Sequence, residues 1–139
     1  MSESLPLRFI IVCLHPTSAR LRFLKNTSGH ICLPEALPPL SELLDDFQPP
    51  EGAALHPGAF LKQLSEQTGI PADCLSVEQS MRCWVNVPRA TLPIFCLRTV
   101  DELPFTAPEG YQWIDLPDCF SLNAIEQQMM RRVYQWLME

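Results

Sequence analysis

The residues of this chain that could do chemistry begin with Gln63, Glu66 and Gln67. Helix neighbours lie three and four residues apart, so a helix through them sets all three on one face. Only Glu66 brings a negative charge there; an amide keeps the shape of a carboxylate and loses its anionic oxygen. Glu42, Asp45 and Asp46 repeat the same spacing with full charge. Grouped carboxylates of this kind suit a hard divalent cation such as magnesium. The simpler reading of that group is the solvated side of an amphipathic helix whose other side carries Leu40, Leu43, Leu44 and Phe47. His15, His30 and His56 are far apart and sit beside turns, so a zinc site pairing one of them with Cys13 or Cys32 lacks the spacing of a structural zinc module. Trp84, Trp113 and Trp136 could line a base-stacking pocket, although each belongs to an element that must bury something. No Gly-rich phosphate loop, G-x-S-x-G or H-E-x-x-H occurs.

The elements that must position these residues follow from hydropathy and punctuation. Leu7 to Leu14 is apolar apart from Arg8 and suits a buried central strand. His15-Pro16-Thr17-Ser18 reads as a turn, and Arg20 to Lys25 as a half-exposed partner strand. After the turn Asn26-Thr27-Ser28-Gly29, a short strand is expected at His30 to Leu33. The Pro-rich stretch from Pro34 to Pro50 is the least regular, with a short helix expected at Leu40 to Phe47. Pro57 to Thr68 is the stronger helix: Pro57 fits its first turn, Gly69 fits the residue past its end, and Phe60, Leu61 and Leu64 face a core. Leu75 to Val87 and Thr91 to Val100 read as strands separated by Pro88-Arg89-Ala90, and Tyr111 to Leu116 as a shorter one. Asn123 to Leu137 closes the chain as a helix with Leu122, Ile125, Met129, Val133 and Leu137 as its buried stripe. Asn123 and Glu126 have capping-box spacing. The fold class expected is α/β (α+β): one domain spanning 1–139, a mixed sheet between helices.

The stretch from Leu61 to Ile70 resembles the second half of the Nudix box, G-x5-E-x7-R-E-U-x-E-E-x-G-U, where U is bulky and apolar. Lys62 stands for the Arg, Gln63 for the first Glu, Leu64 for the apolar position, Glu66 for the next Glu and Gln67 for the last; Gly69-Ile70 closes the motif. Leu33-Pro34-Glu35-Ala36 stands where the family has Leu-Pro-Gly-Gly, and the Trp-bearing strand and terminal helix follow the family layout. The departures are specific. Two of the three metal-holding positions are Gln, the earlier Glu falls on Ala54 and the opening Gly on Gln48. The gap from Pro34 to Lys62 is longer than usual by about a dozen residues, which is ordinary loop growth.

The resemblance implies a Nudix-like module without normal hydrolase activity, keeping the cleft for a nucleotide-like small molecule or a protein partner and binding magnesium weakly at Glu66. The alternative it implies is a divergent magnesium-dependent hydrolase of nucleoside diphosphate-linked compounds, with Glu66 as its catalytic carboxylate. Asp101, Glu102 or the Glu42 group would then complete the metal ligands. A third expectation, independent of the family, is another small α/β interaction domain.

Composition narrows the classes. The 139 residues are 47% hydrophobic and 19% charged, enough to fill one core and unlike a disordered chain. A net charge of -6 repels phosphate backbones, so nucleic acid is excluded as a general partner. The apolar run Phe9 to Leu14 is too short for a signal core or a membrane span. The six cysteines form no C-x-x-C pair and several lie in apolar runs, as reduced core thiols of a cytoplasmic protein would. A homodimer stays open.

Overall fold

The structure is a computed structural model that describes residues 7–15, 17–38, 40–44, 56–88, 90–101 and 103–138, with only the backbone described at 79–82. Six strands are named in chain order: β1 (Arg8–His15), β2 (Arg20–Asn26), β3 (Glu42–Leu44), β4 (Leu75–Val87), β5 (Ala90–Thr99) and β6 (Tyr111–Asp115). Two α-helices join them, α1 (Pro57–Thr68) and α2 (Ala124–Met138), with short 3-10 segments at Ala72–Cys74 and Leu116–Ser121. The strands form one mixed sheet in the order β3-β4-β5-β1-β2-β6. Only β1 and β5 run parallel; the remaining pairs are antiparallel.

Side chains alternate across a strand, and β1 uses both faces. Phe9 and Ile11 join Leu24, Leu33, Phe95 and Leu97 in a core that α1 covers with Leu64. Ile10 and Val12 join Phe23, Val85, Ile94 and Cys96 in a second core that α2 covers with Met129 and Val133. A strand buried on both faces must be apolar at nearly every position, which is why Arg8–His15 reads as a continuous run. The chain is therefore an α+β domain with one helix on each face of a mixed sheet, as the sequence leads one to expect. None of the six cysteines forms a disulfide; five are buried and Cys74 is half-buried. Among the described residues, no helix is long and apolar enough to cross a membrane.

Two expected elements differ. The helix expected at Leu40 to Phe47 is a strand over Glu42–Leu44, with Leu43 opposite Val85 and Leu44 opposite Trp84. Leu40 has φ 65°, a left-handed conformation in which a right-handed helix cannot start. The long β4 beside it offers an edge to pair with. Glu42 stands on β3; Asp45, Asp46 and Phe47 lie outside the described residues. The strand expected at His30 to Leu33 reduces to a single bridge between Leu33 and Phe9. The amides of Ile31 and Cys32 are taken by the Glu126 carboxylate instead of a neighbouring strand.

Candidate functional site

The Nudix-like stretch forms most of α1 and the turn after it. Pro57 opens the helix, and Gly69 ends it at φ 79°, donating its N–H to Ser65 O at 2.8 Å. A left-handed residue at this position favours glycine. Leu64 and Ile70, the bulky apolar positions of the resemblance, are buried in the α1 core. The apolar and glycine positions of the resemblance are thus ones this helix needs to fold and dock, whereas Glu66, which also matches, is exposed.

The polar positions point outward. Lys62, Glu66 and Gln67 are exposed and Gln63 is half-buried. Glu66 Oε1 lies 4.0 Å from Lys62 Nζ, an exposed i, i+4 pair, of a kind worth little in stability. Magnesium takes hard anionic oxygens; this face offers one carboxylate, already beside an ammonium group. The donor set does not fit the metal that the family resemblance implies. Among the described residues, no three His, Cys, Asp or Glu side chains are grouped to hold a metal ion. Ala54, Gln48 and Glu102 lie outside the described residues.

Asp101 stands elsewhere, beyond the carboxyl end of β5. It lines a cavity of about 480 Å³ together with Cys74, Thr99, Leu103, Pro104 and Phe105. A crevice beyond the carboxyl ends of parallel strands is a common ligand position in α/β sheets, and β5 is parallel to β1. The walls are held in place. Val100 donates its N–H to Cys74 O at 2.9 Å, and Thr99 Oγ1 donates to Asp101 O at 3.0 Å. Phe105 meets Trp113 edge-on with ring centroids 5.1 Å apart, and Trp113 Nε1 donates to Phe105 O at 2.8 Å. A second cavity of about 340 Å³ shares Thr99 and Asp101 and is lined also by Leu14, Ser76, Glu78 and Arg98. Lys62, Gln63, Glu66 and Gln67 line neither cavity. Trp113 and Trp136 pack against opposite faces of the sheet, so the three tryptophans do not build one stacking pocket.

A further carboxylate has a role that the sequence reading did not assign. Glu126 is 1% exposed in the first turn of α2. Its N–H donates to Asn123 Oδ1 at 2.9 Å, the backbone half of the expected capping box. Its side chain does not return to Asn123. The two oxygens accept the N–H groups of Ile31 at 3.2 Å and Cys32 at 3.0 Å. His30 Nδ1 lies 3.4 Å from Oε1. Burial and then the Glu126 charge push the Cys32 thiol pKa well above its ordinary value. A signal was available: Glu126 falls four after Leu122 and three before Met129, inside the apolar stripe. Glu in such a stripe demands partners.

The chain matches no protein-family model and no curated protein sequence. The functional reading therefore rests on the geometry of α1 and of the cavity at the end of β5.

Proposed function

We propose that this chain is a Nudix-like binding or regulatory module that holds a small ligand and does not hydrolyse it through a metal cluster. One observation carries the reading. On α1 the fold-bearing positions Leu64, Gly69 and Ile70 keep the residue types of the box, while the metal-bearing face has a single carboxylate, Glu66, 4.0 Å from Lys62. This face lacks the charge that a diphosphate hydrolase needs, and the buried positions have the shape that the domain needs. The open cavity near Asp101, about 480 Å³, is in the size range of small-molecule sites and supports a ligand-binding role.

The experiment is magnesium-dependent release of phosphate or nucleoside monophosphate from a panel of nucleoside diphosphate-linked compounds. No release above a protein-free control is expected. Sustained magnesium-dependent turnover abolished by Glu66→Gln would overturn the reading and make the chain a divergent hydrolase.

A further inference from the structure

We infer that the cavity beyond β5 takes a protonated amine carried on a small apolar or aromatic body, and not a phosphate-bearing ligand. This rests on the ligand-binding reading above and assigns the class of ligand.

Among the described residues, the polar side chains of the lining offer mainly hydrogen-bond acceptors. Among the described residues the Asp101 carboxylate makes no ion pair; only its backbone carbonyl is engaged. Thr99 Oγ1 spends its proton on that carbonyl, so its remaining capacity is its lone pairs. The Val100 N–H is turned to Cys74 O and is not available to a ligand. Cys74 adds only a thiol, a weak donor. A phosphate needs several strong donors or cations, and among the described side chains of this wall none is a cation or a strong donor. A ligand that brings its own N–H groups and a positive charge is complementary to it.

The other walls set the body of the ligand. Leu103, Pro104 and Phe105 are apolar, and Phe105 is held by Trp113 through both its ring and its carbonyl. A fixed aromatic edge favours a flat partner and costs little to order. Leu103 is 67% exposed and the neighbouring Val100 58%. A bound apolar group would cover Leu103. Arg98 lines the adjoining cavity with Glu78 and Asp101. Residue 98 alternates with Leu97 and Thr99 on β5, so its side chain leaves from the opposite face of the sheet. The net charge of -6 adds a general attraction for cations.

The test uses three probes with one ring and different charge: phenethylamine, 2-phenylethanol and 3-phenylpropionate, titrated into the full chain by calorimetry. The amine should bind best and the acid worst, with the amine ahead of the alcohol by about tenfold, as a charge-assisted hydrogen bond provides. Asp101→Asn should bring the amine down to the level of the alcohol, while Leu103→Ser should weaken the amine and the alcohol alike. Occupancy by the amine should also slow alkylation of Cys74. Equal affinity for the acid, indifference to Asp101→Asn, or no binding of the amine overturns the inference. ADP-ribose in the same titration separates the two readings. Intact binding of ADP-ribose without binding of phenethylamine removes the amine class and leaves the non-hydrolytic module standing. Magnesium-dependent hydrolysis of ADP-ribose removes the module reading whatever the amine does.

Discussion

The Glu126 carboxylate accepts the backbone N–H of Cys32 at 3.0 Å, joining the first turn of α2 to a segment that has no strand partner of its own at this point. Buried backbone donors need partners, and the side chain of Glu126 serves two neighbouring ones, Ile31 and Cys32. A neutral amide has one accepting oxygen and adds a donor. Glu126→Gln should therefore leave one of these N–H groups unsatisfied and lower stability by about 1–3 kcal/mol. Urea denaturation of the two proteins checks this. The denaturant slope should be unchanged, because the surface exposed on unfolding is the same.

The thiols should separate sharply by reactivity. Cys74 is half-buried and lines the cavity, whereas Cys13, Cys32, Cys83, Cys96 and Cys119 are buried. Burial raises the Cys96 pKa to about 12 and that of Cys119 to about 11. The thiolate is the reactive form, so these two stay protonated and shielded in mildly alkaline buffer. A soluble disulfide reagent should modify Cys74 readily in the native protein and the rest only on unfolding. Cys74→Ser should abolish the native reaction. Fast labelling that survives this substitution would mean that a buried cysteine opens.

Acid stability should depend on Asp115. Arg20 grips its carboxylate with Nε at 2.7 Å and Nη2 at 2.9 Å. This hydrogen bonding, ahead of the simple charge attraction, lowers the Asp115 pKa below its ordinary value of 3.8. A folded-state pKa below the unfolded one adds stability above the unfolded value, and the gain fades as pH falls through the folded value. The contribution is accordingly full near neutrality and lost only in strong acid. The pair is exposed, so salt should weaken it. Carboxyl titration by NMR should show Asp115 returning towards 3.8 in Arg20→Gln.

What the sequence discloses and what it hides divide along physical lines. α1 is legible because Pro57 and Gly69 mark its ends and Leu64 its buried face. β4 is legible over Leu75–Val87 because Val77, Trp84, Val85 and Val87 favour a pleated surface, although its register with β5 shifts between Glu78 and Arg82. Local spacing fails at Leu40, Leu43 and Leu44, where a helical apolar pattern is overridden by pairing with Val85 and Trp84 across the chain. It fails again at Ile31 and Cys32, whose amides are satisfied by a side chain about 95 positions away. The α1 face was readable from the motif. The cavity was not, because Cys74, Thr99, Asp101 and Phe105 meet only after β4 and β5 have paired and the chain after β5 has folded back onto Trp113.

The α1 face itself can be tested by restoring its charge. Gln63→Glu with Gln67→Glu would place two further carboxylates beside Glu66 at i, i+3 and i, i+4 spacing without changing side-chain length. Magnesium affinity should rise, since each substitution replaces a neutral amide by an anionic oxygen ligand. Lys62, 4.0 Å from Glu66, competes for the same charge, so adding Lys62→Gln should raise affinity further. Without metal the double variant should lose roughly 0.2–0.5 kcal/mol for each like-charge pair at i, i+3 or i, i+4 spacing. Calorimetric titration of magnesium into wild type and variants measures the first effect, and thermal unfolding with and without magnesium the second. Hydrolysis need not return, because Ala54 and Glu35-Ala36 still depart from the family pattern. Equal magnesium affinity in wild type and double variant would mean that this face is not a metal site stripped of its charge, and would leave α1 as a helix whose likeness to the box is one of packing alone.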